Sequence, residues 1–311
     1  MLLNNKFKMM ARLLTLLCSV FLSQASVAKT VTDSRGEHTL AATPTRIVAL
    51  NWDLAEQLLD VGITPVGVAN PTDYRTWVVH PTMPDSVANV GTRMEPSLAE
   101  IAALKPDLIL AASPQKDLLA RLQRIAPVLY YDTYNSHESA ANAAINNFRL
   151  IADVVDKSSV AEQKIAHMQQ RFVTLKQQLS VAYPQLPQVV ALRFANENSV
   201  FIYGKNSTTE YAMTQLGLRL AMPQPGSRWG IVQKRVIDLA KIDQGYVLYF
   251  KPHYYQQQLD ASILWQAMPF IKNGHIHSVE PVWNYGGAMS ILRIAEQITA
   301  SLLKIAPNEQ N

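Results

Sequence analysis

Apolar residues in the first part of the chain alternate between short continuous runs and helical spacing. The run RIVALN (46–51) is typical of a buried strand, and in WDLAEQLLDVG (52–62) leucines recur along one helix face. The same order returns in PSLAEIAALKP before DLILAAS, and in KDLLARLQRIAP before VLYYD. Strands that alternate with short helices predict βαβ units and a mainly parallel sheet. We assign residues 29–135 to this N-terminal lobe.

Residues 136–183 lack any strand pattern and form the predicted connection. Apolar side chains recur there at alternating spacings of three and four residues: Ile165, Met168, Phe172, Leu175 and Leu179. This pattern predicts one helix of about 25 residues, which at 1.5 Å per residue is roughly 38 Å long. A helix of that length crosses a whole domain. We therefore interpret it as a brace between two lobes.

The α/β pattern resumes in residues 184–311, which we assign to a C-terminal lobe. QVVALRFA (188–195) and SVFIYG (199–204) are predicted to pair around a polar tip, and residues 286–307 form a predicted C-terminal helix. The predicted fold class is α/β: two lobes with mainly parallel sheets, joined by one long inter-lobe helix, with a ligand cleft between them.

The first 28 residues have the pattern of a cleavable export signal. Three basic residues precede the apolar run LLTLLCSVFL, which is too short to span a bilayer, and Ser26-Val27-Ala28 supplies small residues before a cleavage site after Ala28. The chain's single cysteine, Cys18, lies inside this segment. We expect a mature periplasmic protein without thiols.

The basic balance of the chain comes from the same segment. The chain has 28 Lys and Arg against 24 Asp and Glu, so removal of Lys6, Lys8 and Arg12 leaves an excess of one positive charge. A nearly neutral surface gives no support for a nucleic-acid partner or a membrane-surface footprint.

Arg93 stands in a short loop between Gly91 and the predicted helix PSLAEIAAL, at one edge of the parallel sheet. Ligands of open α/β sheets bind beyond the carboxyl ends of the strands. A guanidinium in that position can meet ligand oxygens with forked, charge-assisted hydrogen bonds. The alternative is a surface pair with Glu95 or another acidic neighbour.

Four of the five tryptophans follow strands or sit in loop-like stretches: Trp52, Trp77, Trp229 and Trp283. Tryptophans more often fill cores, and we assign Trp265, within the helical pattern LWQAMPF, to packing. The others, with Tyr285, suit an aromatic cleft that has few polar anchors.

The layout with an export signal resembles the periplasmic binding proteins that serve iron-siderophore and corrinoid ABC importers. The frame RIVAL…VGI.PVGVA…VG.R.EPSLAEIAALKPDLIL is common to that class. More specific segments resemble its ferric hydroxamate branch: DYRTWVVHPTMPDSV (73–87), SRWGIV (227–232), LWQAMPFIKNGHIHSV (264–279) and PVWNYGGAMS (281–290).

The resemblance implies a non-enzymatic carrier that takes a ferric hydroxamate siderophore, of the ferrichrome, ferrioxamine or aerobactin class, to an inner-membrane ABC permease and its ATPase. It implies no cofactor and no metal bound directly by the protein, because the siderophore holds the iron, and we expect a monomer. The implied ligand contacts are Arg93, Trp52, Trp77, Trp229, Trp283 and Tyr285. The implied permease-docking acids, one on each lobe, are Asp117 and Asp238, although each could equally cap a helix.

One departure from the family concerns a second polar anchor. The ferrichrome binder carries a tyrosine after its DLIL-type strand, and AASPQKD (111–117) has none. Either Tyr74, Tyr285 or another hydroxyl replaces it, or the preferred ligand differs. Arg228, with Lys234 and Arg235 nearby, suggests a citrate-hydroxamate with extra carboxylates, unless these cations simply face solvent.

Three alternatives remain open at this stage. A serine esterase would use Ser290 with a histidine at 253, 275 or 277, but no spacing supports it, and phosphate loops and other catalytic motifs are absent from the sequence. A metal binder would begin from His275 and His277, two ligands that do not complete a site. Haem or corrinoid binding is the main alternative, because the N-terminal frame is shared with those importers.

Overall fold

The computed structural model describes residues 28–134 and 139–307 of the 311-residue chain. The predicted export signal lies outside these ranges except for Ala28, so both it and its cleavage site stay predictions. None of the helices in the described part of the chain has the length and apolar character needed to cross a membrane.

The N-terminal lobe contains a hairpin and a five-stranded sheet. Its strands are β1 (Lys29–Asp33), β2 (Gly36–Leu40), β3 (Ile47–Ala49), β4 (Gly67–Val68), β5 (Ala88–Asn89), β6 (Leu108–Ala112) and β7 (Val128–Tyr131). Its helices are α1 (Trp52–Asp60), α2 (Pro71–Trp77), α3 (Leu98–Ala103) and α4 (Leu119–Leu122), with a 3₁₀ helix at Ser113–Leu118.

The sheet of this lobe has the order β5-β4-β3-β6-β7, and all its pairs are parallel. Every residue of β3 and β6 is buried, as expected of parallel strands that are covered on both faces. The hairpin β1–β2 was not predicted. It is attached to β7 through Asp33, whose Oδ2 accepts a hydrogen bond from the Tyr130 amide at 2.7 Å.

The connection contains the predicted long helix and a second one before it. The helices are α5 (Ala140–Val154) and α6 (Ser158–Ala182), and α6 has 25 residues. All five apolar residues that predicted α6 are buried along one face. Helix α6 packs against α5 and against the C-terminal helix α11 (Ala288–Lys304). The brace between the lobes is therefore a layer of helices rather than one rod.

The C-terminal lobe has a six-stranded sheet of the order β11-β9-β8-β12-β13, with β10 also paired to β8. The strands are β8 (Gln188–Phe194), β9 (Ser199–Tyr203), β10 (Arg219–Leu220), β11 (Ile231–Arg235), β12 (Tyr246–Phe250) and β13 (Ile276–Val279). The helices before α11 are α7 (Thr208–Gln215), α8 (Gln256–Asp260), α9 (Ile263–Gln266) and α10 (Pro269–Lys272), with a 3₁₀ helix at Val236–Lys241.

The second sheet is less parallel than predicted. Strands β8, β10, β12 and β13 pair in parallel. Strand β9 pairs antiparallel with both of its neighbours, β8 and β11, because it returns from β8 through the predicted hairpin. The α/β class with two lobes is confirmed, with a mixed sheet in the second. The lobe boundaries at residues 135 and 184 stay a proposal.

Helices α1 and α11 join the lobes through a cluster of buried charges. Arg293 on α11 donates to Glu56 Oε1 at 2.7 Å and to Asp60 Oδ2 at 3.1 Å on α1. Ser290 Oγ donates to Glu56 Oε1 at 2.7 Å. We call these four residues the inter-lobe ion cluster. Each charge in it has a partner, as buried ionic groups require.

Candidate functional site

A cavity of about 320 Å³ opens between the lobes. From the N-terminal lobe it is lined by residues that follow β3, β5, β6 and β7: Asn51, Asp53, Arg93, Ala112, Ser113, Pro114, Thr133 and Tyr134. From the C-terminal lobe it is lined by Trp229, Ile231, Trp283 and Tyr285. The cavity thus lies beyond the carboxyl ends of parallel strands, the usual ligand position in such sheets.

The loop that carries Arg93 is held by its own backbone and by its neighbour. Gly91 has φ +91°, and a Cβ there would lie 2.8 Å from Glu95 O and from Ser97 N, so the tight turn requires glycine. Gln115, buried in the next loop, donates from Nε2 to the carbonyl oxygen of Arg93. Gln115 belongs to the segment 111–117, which lacks the family tyrosine, and this segment therefore anchors the loop that carries Arg93.

The Arg93 guanidinium packs against two indoles, Trp52 and Trp283, whose ring centroids lie 4.9 Å apart in an edge-to-face arrangement. Its Cζ is 4.0 Å from the ring centroid of Trp52 and 5.0 Å from that of Trp283. Trp52 is buried and its Nε1 donates to Ala69 O at 2.8 Å, which fixes the position of its ring. Stacking leaves the edge of a guanidinium free to donate hydrogen bonds. Among the described residues no carboxylate oxygen lies within 4.0 Å of it, so the cation is held without an ion pair.

Electrostatics around Arg93 reflect partial burial. Burial lowers its pKa, while the carboxylates of Asp53 and Asp73 act in the opposite direction. A guanidinium remains charged throughout the physiological range despite such a shift. Arg93 therefore presents a partly desolvated, preorganised positive charge to the cavity.

Asp53 lies at the floor of the same cavity. Its Oδ2 accepts a hydrogen bond from Thr133 Oγ1 at 3.4 Å, and Oδ1 has no hydrogen-bond partner in the described ranges. Burial raises the pKa of Asp53 to about 6, while the charge of Arg93 acts in the opposite direction. No pattern in the sequence singles out Asp53, because an acid in the first turn of a helix is common.

An aromatic wall faces Arg93. Tyr134 and Trp229 have ring centroids 5.2 Å apart, and Tyr285 lies 5.7 Å from Tyr134 and 5.4 Å from Trp283. Trp229 is 40% exposed, a large apolar surface open to solvent at the cavity mouth. The structure thus brings together Arg93, Trp229, Trp283 and Tyr285, which the resemblance had placed in one pocket.

Tyr134 is the main residue that sequence reasoning missed. It follows VLYYD, and the signal that could have found it is its position after β7, at the sheet edge that also carries Arg93. Its ring is 5% exposed, and its hydroxyl is buried with no hydrogen-bond partner in the part of the chain that the structure describes. Burial raises its pKa well above the ordinary value, so the hydroxyl keeps its proton.

Trp77 lies at a different contact between the lobes. It closes α2, and its ring lies 4.9 Å from Arg193 Cζ and 6.5 Å from the Tyr254 ring, both in the C-terminal lobe. Trp77 is absent from the residues that line the cavity among those described. It bridges the lobes beside the cavity, so a ligand contact from it stays a prediction.

Tyr74 and Arg228 are placed differently from expectation. Tyr74 is fully buried against Trp52, and its hydroxyl donates to Pro81 O at 3.0 Å, so it does not reach the cavity. The reason is that α2 begins at Pro71, which turns Tyr74 toward the core. Arg228 is exposed; its Nε donates to Tyr134 O at 2.9 Å, which places it beside the cavity rather than along its lining.

The two acids expected to dock a permease occupy similar places in the two lobes. Asp117 lies in the 3₁₀ helix after β6 and is exposed, and Asp238 lies in the 3₁₀ helix after β11. Asp238 pairs with Arg235 at 3.1 Å and lies 3.6 Å from Lys241. The hydrogen bond from Arg235 lowers the pKa of Asp238 to about 2.

The residues of the enzyme and metal alternatives are engaged elsewhere. Ser290 is fully buried and donates to Glu56, so it is part of the inter-lobe ion cluster. His275 stacks on Tyr246 at 4.2 Å, and His277 Nδ1 lies 2.7 Å from Ser278 O. Within the described ranges no group of three His, Cys, Asp or Glu side chains is arranged to hold a metal ion.

Comparisons with known proteins agree with this architecture. The sequence profile of the Periplasmic binding protein family matches residues 47–282. The iron(3+)-hydroxamate-binding protein FhuD of Escherichia coli strain K12 is 31% identical over 261 residues, which cover 82% of this chain and 86% of that protein. The Fe(3+) dicitrate-binding periplasmic protein FecB of the same strain is 30% identical over 292 residues, covering 89% and 90%.

A solved structure gives the same result in three dimensions. The siderophore binding protein FhuD from Vibrio cholerae, with Fe3+-Desferal bound, is 53% identical to this chain at a TM-score of 0.83, covering 85% of this chain and 99% of that one. The two-lobe α/β fold and the prediction of a binding protein rather than an enzyme are confirmed.

Proposed function

The chain belongs to the periplasmic binding protein family, and from that premise we propose that it captures a ferric siderophore of the hydroxamate class for an inner-membrane ABC permease. The observation that carries the proposal is the Arg93 guanidinium, which packs against the rings of Trp52 and Trp283 and has no ion pair in the described part of the chain. A cation held in this way is preorganised to receive ligand oxygens rather than to stabilise the fold.

The chemistry of a ferric hydroxamate matches both halves of the cavity. Its iron is surrounded by oxygens that share negative charge, and Arg93 can meet two of them with parallel N–H donors. Its organic scaffold is largely apolar and suits the wall formed by Tyr134, Trp229 and Tyr285. The iron stays within the siderophore, so the protein contributes no metal ligand.

The relatives support the ligand class without being uniform. One is a hydroxamate-binding protein and another is a siderophore-binding protein with Fe3+-Desferal bound, but a dicitrate-binding protein is about as similar to the chain as the first. We favour the hydroxamate because the described lining of the cavity offers one basic residue, Arg93. A ligand with several free carboxylates calls for more positive charge than one arginine provides.

The haem and corrinoid alternative lacks a specific observation in its favour. Haem iron is usually held by histidine, cysteine, methionine or tyrosine. Among the described residues that line the cavity, only Tyr134 and Tyr285 belong to that set. Both sit within a cluster of aromatic rings that pack mainly edge to face, an arrangement that suits apolar contact.

Delivery of the ligand requires recognition by the permease. We propose that Asp117 and Asp238, each in a 3₁₀ helix that follows a strand, one in each lobe, dock against basic residues of the permease. The inter-lobe ion cluster and the helical layer of α5, α6 and α11 tie the lobes together, so we expect lobe movement of only a few degrees on binding.

The test is a titration of intrinsic tryptophan fluorescence in the mature protein. Ferrichrome and ferrioxamine B should quench strongly and saturate, because Trp52, Trp229 and Trp283 adjoin the site; ferric aerobactin, haem and cobalamin serve as competitors. Arg93→Ala should weaken binding about a hundredfold, the loss of two charge-assisted hydrogen bonds. Arg171→Ala, a half-exposed arginine paired with Glu296 far from the cavity, is the control.

The outcomes separate the ligand classes. Saturation with haem or cobalamin and no response to hydroxamates would keep the fold and transfer the function to the alternative. Equal hydroxamate affinity in the Arg93 and Arg171 variants would remove Arg93 from the site.

A further inference from the structure

The lining of the cavity contains buried polar atoms without hydrogen-bond partners in the described part of the chain. They are Asn51 Oδ1, Asp53 Oδ1, the Tyr134 hydroxyl and Trp283 Nε1. Buried polar atoms are almost always paired in folded proteins. A group of them around one cavity therefore indicates that a ligand completes their hydrogen bonds, and the group contains both donors and acceptors.

Asp53 is the charged member of this group. Hydrogen bonds from the Leu54 amide, from Thr133 Oγ1 at 3.4 Å and from the Asn51 side chain favour its charged form but are outweighed by burial. Its Oδ1 still has no well-aligned donor, and no cationic nitrogen in the described ranges lies within 4.0 Å of the carboxylate. An acid in the first turn of α1 gains from the helix dipole, but that accounts for its position and leaves Oδ1 without a donor. A buried carboxylate oxygen without a donor carries a desolvation cost, which a donor group of the ligand would offset.

Tyr134 complements Asp53 across the cavity. Its hydroxyl retains its proton and can donate to a ligand oxygen, while Asp53 Oδ1 can accept from a ligand N–H or O–H. The family tyrosine expected after β6 is missing from this chain, and Tyr134 comes from the loop after β7, the strand paired with β6. The donor thus reaches the cavity from the neighbouring loop.

We infer that Asp53 and Tyr134 form a polar subsite that receives a hydrogen-bond-donor group of the ligand and selects ferric complexes that are neutral or cationic. The inference rests on the proposed function. Three hydroxamates carry three negative charges and neutralise Fe³⁺, so a plain trihydroxamate complex has no net charge. The charges of Arg93 and Asp53 also cancel, and such a cavity opposes a complex with added free carboxylates, because like charges in a desolvated site repel.

This inference runs against the citrate-hydroxamate preference that Arg228 had suggested. Arg228 is exposed and donates to the Tyr134 carbonyl, so its charge lies in solvent, where it is screened. Asp53 is fully buried at the cavity floor, where its charge acts at full strength on the ligand. The buried carboxylate outweighs the exposed guanidinium.

The test compares Asp53→Asn with the wild type at pH 7.5 against three ferric ligands. These are ferrioxamine B, which has a terminal ammonium, its N-acetyl derivative, which is neutral, and ferric aerobactin, which has free carboxylates. Asp53→Asn should weaken ferrioxamine B about tenfold and the acetyl derivative about threefold or less. The same change should tighten ferric aerobactin about tenfold, because it removes a buried like charge.

Asp73→Asn is the matched control. Asp73 also acts on the charge of Arg93, but it is exposed and lies outside the described cavity lining. A role of Asp53 only through Arg93 would give the two variants the same pattern and would overturn the inference. So would an equal change for all three ligands in Asp53→Asn.

Tyr134→Phe provides an independent measurement of the donor. It removes only an oxygen and should weaken all three ligands about tenfold, without changing their order. An unchanged affinity would remove Tyr134 from the subsite. If the wild type binds none of the hydroxamates, the proposed function fails. If it binds them and Asp53→Asn leaves the ratios of the three affinities unchanged, the subsite alone fails.

Discussion

The two ends of helix α1 carry buried carboxylates in opposite states. Near its C-terminal end, Glu56 and Asp60 are saturated: Arg293, Ser290 and the Gly287 amide donate to them. At its N-terminal end, Asp53 has weak hydrogen bonds, of which the one from Thr133 Oγ1 is 3.4 Å long, and its Oδ1 has no well-aligned donor in the described ranges. The first end joins two lobes, and the second faces a cavity.

Within three turns of one helix, Glu56 and Asp60 hold the lobes together, whereas Asp53 is available to a ligand. Burial raises the pKa of both Glu56 and Asp53, so the shift alone does not identify the binding residue. What distinguishes them is the completeness of their hydrogen bonds. Paired groups gain little from any newcomer, whereas an unpaired one gains a hydrogen bond and sheds a desolvation cost when a ligand arrives.

The largest expected effect concerns the saturated end. Arg293→Met should lower the free energy of unfolding by about 3–5 kcal/mol, because it leaves Glu56 buried without a cation and Asp60 with the more distant Lys164, whose Nζ lies 4.0 Å from Oδ1. Urea denaturation at pH 7.5 measures the loss. Arg171→Met is the matched control, since its pair with Glu296 is half-exposed and should contribute about 0–1 kcal/mol.

The charge origin of that loss can be isolated. Adding Glu56→Gln and Asp60→Asn to Arg293→Met should restore much of the stability, because the three changes together remove the buried charges. If Arg293→Met costs no more than Arg171→Met, the inter-lobe ion cluster does not stabilise the protein and the contrast between the two ends of α1 disappears.

Ionisation of Asp53, at the N-terminal end of α1, should make the free energy of unfolding depend on pH. The pKa of Asp53 is about 6 in the folded protein, above the ordinary value of 3.8, so the folded state holds this proton more tightly than the unfolded state. Protonation therefore favours folding. The contribution is complete below pH 3.8 and is lost as the pH rises through 6. The expected loss is about 3 kcal/mol, from 1.36 kcal/mol per unit of pKa.

Asp53→Asn isolates this contribution. The difference in unfolding free energy between the wild type and Asp53→Asn should shift by that amount between pH 4 and pH 7, in favour of the variant at pH 7. The other titrating groups cancel in the difference. A constant difference over this range would mean that Asp53 is not ionised against a desolvation cost.

A smaller effect tests whether Arg93 acts through its shape as well as its charge. Arg93→Lys keeps the positive charge but loses the planar fork and the stacking against Trp52 and Trp283. Ferrioxamine B should bind about tenfold more weakly, with little change in unfolding free energy. Wild-type affinity in Arg93→Lys would indicate a point charge that needs no particular orientation.

Features set by local periodicity could be predicted from the sequence. The spacing from Ile165 to Leu179 predicted α6, and the position of Arg93 after a strand predicted its place at the sheet edge. The hairpin β1–β2 was not predicted. The reversal of β9 also makes the second sheet mixed, because pairing direction depends on which strands meet in space.

The cavity floor required the structure. Asp53 looks like an ordinary first-turn acid, and its significance depends on the absence of donors around Oδ1, which no local pattern encodes. Tyr74 and Tyr134 show the same limit in opposite directions. Tyr74, one of the two tyrosines named as a replacement anchor, packs in the core, whereas Tyr134, which was not named, lines the cavity with Tyr285. Side-chain direction after a strand or helix start depends on tertiary neighbours.

The smallest expected effect extends the comparison to two tryptophans. Trp229 is 40% exposed at the cavity mouth, whereas Trp265 is 6% exposed in the core of the C-terminal lobe, as predicted. Trp229→Ala should weaken ferrioxamine B about threefold to tenfold through lost aromatic contact and leave the unfolding free energy within about 0.5 kcal/mol. Trp265→Phe should lower the unfolding free energy and leave the affinity for ferrioxamine B unchanged. Calorimetric titration is the suitable measurement, because each variant removes a fluorophore. If Trp265→Phe weakens binding as much as Trp229→Ala, exposure at the cavity does not distinguish binding aromatics from packing ones.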